Sequence, residues 1–272
     1  MRLKKLIVLL LFSGLLLLSC LPEPQPDEGI GGTEKQTAVE LAERLSTRSA
    51  EVESLRAALN IAARMGDEVL PTSEHSALFS QPDRVYLESY GPLGEVLATT
   101  RVVDGKLAVY LPADGVWLTG DATAENAERL LGVNFEIGLL TQAVLGAPLV
   151  SPAGFEGTIR YLRPEKVTDP TRLAFRLASG EKALLLTVDD ERSLPLEQVF
   201  YRSDAPALRV SYADYTQVDG FWLPGKVSLT DDAGIEVEIL LSEQAVNLPL
   251  PDGVFSFTPP DGARVVELDG LE

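Results

Sequence analysis

The chain has 272 residues, 45% of them hydrophobic, and a formal net charge of −18. This length can supply a sizeable core for one large domain or two small ones. Phosphate binding needs clustered lysine and arginine, so the negative charge disfavours a nucleic-acid partner. A single cysteine excludes an internal disulfide, and the fold must therefore rest on its core.

The first twenty residues have the features of a secretory signal. A basic head, Met1–Lys5, precedes the apolar run 6–18, which is too short to cross a bilayer as a mature helix. The following Leu17-Leu18-Ser19-Cys20 matches a lipobox, and Cys20 resembles the acylated first residue of a bacterial lipoprotein. We expect removal of residues 1–19 and lipid on Cys20. An ordinary cleaved signal and an uncleaved anchor are the alternatives.

A tether and a helix are predicted next. Residues 20–32 contain the acylated cysteine and a run rich in proline, glutamate and glycine, which is typical of a stiff, solvated linker. Thr33–Gln36 has the form of a capping box and predicts an amphipathic helix that ends near Val52. Without residues 1–19 the formal charge is −21, because three basic residues are lost. Attachment to an anionic membrane should therefore rest on lipid and apolar contacts.

Alternating apolar residues predict strands from Leu55 onwards. The alanines of the first segment leave a longer helix open as an alternative. Asp104-Gly105 and Asp114-Gly115 separate later segments, and Asp-Gly tolerates the positive φ angles of tight hairpins. The pattern indicates an antiparallel meander, with strands at 55–65, 76–80, 84–90, 95–103, 106–111 and 116–118.

Two short helices interrupt the strands in mid-chain. Thr123 can cap the first, which runs to Leu131. Apolar residues at helical spacing from Ile137 indicate the second, which ends before Gly146. These helices are available to cover an open side of the sheet.

The second half returns to strands. Ser179-Gly180, Asp219-Gly220 and Asp252-Gly253 are hairpin signals that keep the connections short. No linker-like stretch separates the halves, so a single domain is predicted over 33–272, and a sheet of this many strands curls or closes. Its predicted strands are 157–163, 172–178, 183–188, 197–202, 207–215, 221–230, 235–242, 254–258 and 264–268.

Catalytic motifs are not found in the sequence. The sole histidine, His75, excludes a zinc site built from paired histidines, and a lone histidine beside a strand usually fills surface or core. The acidic runs 189–191 and 231–232 lie between predicted strands, where carboxylates usually solvate a turn. We therefore expect no enzyme, no metal site and no cofactor other than the covalent lipid on Cys20.

One turn carries an apolar side chain where turns are normally polar. The sequence 90–94 is Tyr-Gly-Pro-Leu-Gly and joins two predicted strands. Its proline and glycines shape a turn that pushes the side chain of Leu93 outward.

Several of these pieces follow one another as they do in the LolB outer-membrane lipoprotein receptor, which the stretch 86–148 resembles. The second half, especially 218–224 and 247–262, is similar to LolA-like carriers. The matching pieces are Pro92-Leu93-Gly94, Ala122-Thr123-Ala124-Glu125, Leu130-Leu131-Gly132 and Val144-Leu145-Gly146-Ala147-Pro148. The resemblance implies a mainly β (α+β) fold, a curved, half-open antiparallel barrel with an N-terminal helix and a helical lid.

The resemblance also implies a function. In LolB the leucine of the Pro-Leu-Gly turn is the tip of a loop that helps place lipoproteins in the outer membrane, and Leu93 matches it. Pro92, Leu93 and Gly94 are thus the expected membrane-insertion loop. Acyl chains are expected in an apolar cavity lined by Leu59, Ile61, Val85, Leu87, Phe175 and Trp222.

The expected partners are the membrane, through Cys20, lipid acyl chains, and lipoproteins or their periplasmic carrier. Leu21 is not the aspartate that retains enterobacterial lipoproteins at the inner membrane, which favours the periplasmic face of the outer membrane. The alternative is a lipoprotein of the same fold that binds lipid or docks an envelope protein without sorting anything.

Overall fold

The computed structural model describes residue 40 and residues 43–131, 137–149, 159–161, 172–179, 182–189, 192–202 and 205–269. Its helices are α1 (residues 43–50), α2 (Ala124–Leu131) and α3 (Gly138–Val144). No helix in these ranges is long and apolar enough to span a membrane. The strands are β1 (Ser54–Met65), β2 (Glu68–Val69), β3 (Ser73–Ser80), β4 (Arg84–Tyr90), β5 (Val96–Val103), β6 (Lys106–Leu111), β7 (Val116–Asp121), β8 (Ile159–Tyr161), β9 (Arg172–Ser179), β10 (Lys182–Asp189), β11 (Leu194–Arg202), β12 (Ala205–Ala213), β13 (Thr216–Val218), β14 (Phe221–Leu223), β15 (Lys226–Asp231), β16 (Ile235–Val246) and β17 (Arg264–Glu267).

One sheet contains most of these strands. Its order is β17-β7-β6-β5-β4-β3-β1-β16-β15-β12-β11-β10-β9-β8, and β2 pairs with β1. Neighbours are antiparallel except β17 and β7, which run parallel. The sheet is curved and does not close on itself, so the predicted mainly β, open antiparallel architecture is confirmed. Strands from the two halves of the chain meet where β1 pairs with β16.

The first strand is extended rather than helical. Leu55, Ala57 and Leu59 are buried, whereas Arg56 between them is exposed, as an alternation of period two requires. This strand pairs with β16 on one side and with β3 on the other. Pairing and burial on both sides outweigh the helix propensity of its alanines, so the helical alternative is wrong.

The apolar rows of the sheet share one face, which we call the inner face. The register aligns one such row across β1, β3, β4, β5 and β6. None of its members is more than 1% exposed. The row consists of Leu55, Phe79, Val85, Val102 and Leu107.

Residues 137–149, which include α3 and which we call the lid, cover part of the inner face. Gln198 in β11 is fully buried beneath them. Its side chain accepts a hydrogen bond from the Leu149 N–H at 2.9 Å and donates to the Ala147 carbonyl at 2.7 Å. It also donates to the Tyr212 hydroxyl at 2.7 Å. A buried amide thus ties the end of the lid to the sheet.

The opposite, outer face is crossed by the C-terminal residues 247–263, which we call the strap. Trp117 is only 2% exposed although it lies on this face, because Phe257 packs edge-on against it with 5.8 Å between ring centroids. Arg101 lies 5.7 Å from the Trp117 ring and donates through Nε to the Val254 carbonyl at 3.4 Å. β17 follows the strap and pairs with β7, so β7 is not a free edge.

Capping and turn chemistry agree with the sequence in the first half. Thr123 Oγ1 accepts a hydrogen bond from the Asn126 N–H at 3.2 Å and so caps α2. Gly146 has a φ of 63° just after α3. Asp104 and Gly105 have φ angles of 50° and 75°, as a two-residue hairpin turn requires.

Several boundaries differ from the predictions. Residues 254–258 are not a strand, because they cross the outer face, where Phe257 packs against Trp117. Asp252-Gly253 therefore joins no hairpin. The predicted strand 221–230 is two strands, β14 and β15, because the chain bends at Pro224-Gly225, where the Gly225 N–H bonds the Asp214 carbonyl at 3.0 Å. The helix expected to end near Val52 ends at residue 50.

Replacing Gln198 by leucine should lower the free energy of unfolding by about 3 kcal/mol. Leucine fills a similar volume but leaves the Leu149 N–H and the Ala147 carbonyl without their buried partner. Denaturant titration measures the change. Gln217→Leu, at an exposed position of β13, is the control and should stay within about 0.5 kcal/mol of wild type. Equal stability of the two variants would contradict the role of Gln198 in tying the lid to the sheet.

Candidate functional site

Several connections lie together at one end of the sheet, which we call the hairpin end. β4 leads into the turn 91–95 there, and β1 leads into the turn 66–67. Met65 pairs with Ile235, the first residue of β16, so the turn between β15 and β16 lies at this end as well. Antiparallel order brings these connections to the same side, away from α1 and α2.

The β4–β5 turn holds a leucine out in solvent. The Gly91 N–H bonds the Glu95 carbonyl at 2.8 Å, and the Gly94 N–H bonds the Gly91 carbonyl at 2.9 Å. The Leu93 N–H donates to Glu95 Oε2 at 3.0 Å, and Gly94 adopts a φ of 82°. The turn is therefore closed by its own hydrogen bonds, while Leu93 is 94% exposed and Pro92 is also exposed.

Other exposed apolar side chains lie at the hairpin end together with Leu93. Leu97, near the start of β5, is 49% exposed, and Val69 in β2 is 67% exposed. Met65, at the end of β1, is 38% exposed. Moving one such side chain from water into an apolar phase is worth about 1.5–3 kcal/mol. This end is thus suited to an apolar phase or partner.

Next to this turn the inner face becomes less buried, and we call this half-buried apolar area the mouth. One register row runs from Leu87 through Thr100 and Val109 to Leu118. Leu87 and Leu118 are half-buried, whereas the row nearer the other end is closed to solvent. The apolar side chains of the mouth are Ile61, Leu87, Ala98, Leu111 and Leu118, all packed against the core.

The expected cavity-lining residues fall into different environments. Ile61 and Leu87 lie in the mouth, on the side of the sheet that leads to Leu93. Leu59 and Val85 are each 1% exposed and pack within the core. Trp222 lies on β14 near the opposite end, half-buried, with the Arg192 guanidinium 5.3 Å from its ring centroid. The structure therefore brings only part of this set together.

Two predicted positions involve residues of which less is described. Phe175 is on β9, where its backbone pairs with Leu186, but its side chain lies outside the described part of the structure. Cys20 also lies outside the described residues. Lining by Phe175 and lipidation of Cys20 stay predictions.

A polar cluster in the mouth was missed by sequence reasoning. His75 Nε2 lies 2.7 Å from Ser73 Oγ, and His75 Nδ1 lies 2.9 Å from Ser89 Oγ. Hydroxyls both donate and accept, so they satisfy the two nitrogens of a neutral imidazole. Alternation does place His75 and Ser73 on the inner face, but the pairing with Ser89 depends on the β3–β4 register.

This cluster does not form a charge-relay site. The two hydrogen-bond partners of the imidazole are hydroxyls rather than a carboxylate. Burial lowers the pKa of His75 below its ordinary value, which favours the neutral ring. No group of three or more potential metal ligands is found among the described residues. The mouth is therefore an apolar surface with one neutral polar patch.

No family model matches the sequence, and no curated protein matches it. Similar solved structures include a DUF1329 family protein from Desulfovibrio piger (TM-score 0.60, 15% identity), which covers 82% of this chain and 97% of that one. A structure described as an outer membrane lipoprotein-sorting protein domain from Vibrio parahaemolyticus has a TM-score of 0.60 and 16% identity, with the same coverage.

A LolA superfamily protein from Nitrosomonas europaea is also similar, with a TM-score of 0.52, 16% identity, and coverage of 82% of this chain and 97% of that chain. At identities this low, the structural similarity establishes the fold alone. The fold implied by the sequence resemblance, a curved and open antiparallel sheet of the LolA/LolB type, is therefore confirmed.

His75 should make the protein less stable in mild acid. Because burial lowers its folded-state pKa, the unfolded chain takes up a proton at a higher pH than the folded chain. The stability contribution present above the ordinary pKa of 6.5 is lost as the pH falls through that value towards the lower folded pKa. His75→Gln, which does not titrate, should lose less stability over the same window. Unfolding curves from neutral to mildly acidic pH test this, and superimposable pH profiles would contradict it.

Proposed function

We propose that this chain is a lipid-anchored, LolB-like protein on the periplasmic face of the outer membrane, which binds lipoprotein acyl chains and aids their insertion. The observation that carries the proposal is Leu93, 94% exposed at the tip of a closed turn beside the apolar mouth. The fold supports it, because one similar structure is described as an outer membrane lipoprotein-sorting domain and another as a LolA superfamily protein.

The exposed leucine and the lipid have different tasks in this proposal. One leucine contributes about 1.5–3 kcal/mol on entering an apolar phase, which is too little to hold a protein on a membrane. Lipid on Cys20 supplies the lasting attachment, since each buried methylene adds about 0.8 kcal/mol. Leu93 then orients the hairpin end, and with it the mouth, towards the bilayer.

Acyl chains have an apolar route from this end. Ile61 and Leu87 supply half-buried surface in the mouth, whereas Leu59 and Val85 behind them are already packed. A chain that goes deeper must therefore displace packed side chains. In our proposal the lid moves, because the sheet beneath is held by continuous ladders.

Among the described residues, few polar contacts join the lid to its surroundings. Gln198 holds its last residues, and Thr141 Oγ1 donates to the Arg84 carbonyl at 3.4 Å. An Arg48 Nη2 contact to the Gly146 carbonyl is long, at 3.5 Å. Acyl burial worth about 0.8 kcal/mol per methylene offsets the loss of several such contacts. Hand-over by burial needs no covalent catalyst.

Leu93→Glu should reduce delivery of a lipoprotein from its loaded periplasmic carrier to vesicles by about tenfold or more. A carboxylate at the tip cannot enter the apolar phase, so the leucine's contribution is lost. Leu248→Glu is the matched control, because Leu248 is 40% exposed but follows β16 away from the hairpin end. Transfer of labelled lipoprotein to vesicles of phosphatidylethanolamine and phosphatidylglycerol is the measurement.

A wild-type transfer rate for Leu93→Glu would contradict the proposed receptor function. Lipid that co-purifies with such a variant in native mass spectrometry would then favour the alternative, a lipid-binding module without sorting activity. The control variant should transfer at the wild-type rate.

Cys20→Ala should keep part of the transfer activity. The variant lacks the anchor but retains the tip and the mouth, so it can still meet carrier and vesicle by diffusion. Leu93→Glu on the anchored protein should be the more severe change. The measurement is the transfer rate of each variant at matched protein concentration. A lower rate for Cys20→Ala than for Leu93→Glu would leave the anchor as the only functional element.

A further inference from the structure

A second concave surface lies on the outer face, away from the mouth. It is a groove of about 460 Å³ between β3, β1 and β16. This volume is within the range of small-molecule sites, about 300–1,000 Å³. Ala58 and Ser76 are paired neighbours in the register, and their small side chains leave space at its centre. The groove is therefore a consequence of small residues in the middle of the sheet.

Larger polar side chains surround this space. The register aligns Asn60, Glu74 and Tyr90 in one row at the hairpin-end side. Arg56 lies four residues before Asn60, about 13 Å along the strand. Glu243 lines the groove from a bulge in β16, where its φ is 51°. An aromatic ring and both signs of charge thus lie around one groove.

The charged and amide groups of the groove have no hydrogen-bond or ion-pair partner in the part of the chain that the structure describes. Among the described residues, the side chains of Arg56, Asn60, Glu74 and Glu243 form no hydrogen bond or ion pair within the chain. Other charged side chains on the same face are paired, for example Lys226 with Glu238 at 2.5 Å. Tyr90 is held in place, because its hydroxyl donates to Glu88 Oε2 at 2.7 Å. A fixed ring and four free polar groups are an arrangement for a polar ligand.

The chemistry of these groups narrows the ligand class. Two carboxylates repel an anion such as a phosphate. A polyamine would pair with the carboxylates but would leave the Arg56 guanidinium and the Asn60 amide without partners. An acyl chain would leave the polar groups desolvated without partners. The groove lies over interior strands, whose backbone groups are paired on both sides, so an added peptide strand finds no free edge.

Neutral hydroxyl groups satisfy all of these side chains at once. Each hydroxyl donates one hydrogen bond and accepts others, so it serves a carboxylate, an amide and a guanidinium alike. The Tyr90 ring supplies a flat apolar surface for the C–H face of a pyranose. We propose that this groove is a carbohydrate-binding site for a short neutral oligosaccharide, contacted by Arg56, Asn60, Glu74, Tyr90 and Glu243. This site is independent of the acyl-chain function proposed above.

The probes are cellobiose, maltose and N,N′-diacetylchitobiose, added to the isotope-labelled mature protein in a sugar-free detergent. At least one of them should shift the backbone amide signals of β1 and β3 in a saturable manner, with a Kd on the order of 1 mM. Asn60→Ala and Glu74→Ala should each weaken that binding by about tenfold. Glu236→Ala, which removes the same charge from the outer face of β16, is the control and should bind as wild type does.

Two results would overturn the site. One is an unsaturable or absent response to all three disaccharides up to about 50 mM. The other is a stronger response of the same amides to tetralysine or to phosphocholine, which would identify a charge-matched ligand instead. Leu93→Glu should leave the disaccharide response unchanged, so failure of the membrane proposal and failure of the groove are distinguishable.

Discussion

The pairing of β1 with β16 is the constraint on which the rest of the structure depends. Leu59 lies opposite Leu241 and Ile61 opposite Ile239, so two strands almost at opposite ends of the described chain share two apolar register rows. Closing such a long loop is entropically costly, and the contacts between the apolar side chains of these rows offset this cost. With this pair in place, the meander of the first half and the strands of the second become one sheet.

The two faces of that sheet then acquire different properties. The inner face is closed by the lid at one end and becomes a half-buried mouth towards the other, where Leu93 stands out in solvent. The outer face is covered in part by the strap, which buries Trp117, and elsewhere on this face lies the polar groove. One continuous sheet can therefore present an apolar surface on one side and a polar groove on the other.

Magnitudes decide which of these features can carry which role. A single exposed leucine is a weak membrane contact, whereas acyl chains bury many methylenes, so in the proposed function the tip serves orientation and the lipid proposed on Cys20 serves attachment. The groove groups have no partner in the described part of the chain and lie together around one concave surface, which is what separates them from scattered surface charges. The His75 cluster is polar but neutral, which lets it lie in an apolar mouth without the cost of a buried charge.

Local sequence patterns determined much of this protein. Alternation placed Leu55, Ala57 and Leu59 on one face, Asp104-Gly105 specified a hairpin, and the turn around Leu93 was read from its proline and glycines. Each of these depends on backbone preferences within a few residues, which is why sequence alone contains them. Only the tertiary structure decided that β1 meets β16, that Ser89 reaches His75, and that residues 254–258 cross the outer face instead of joining the sheet. Those outcomes depend on which surfaces, distant in sequence, pack against each other, and local sequence patterns do not determine that packing.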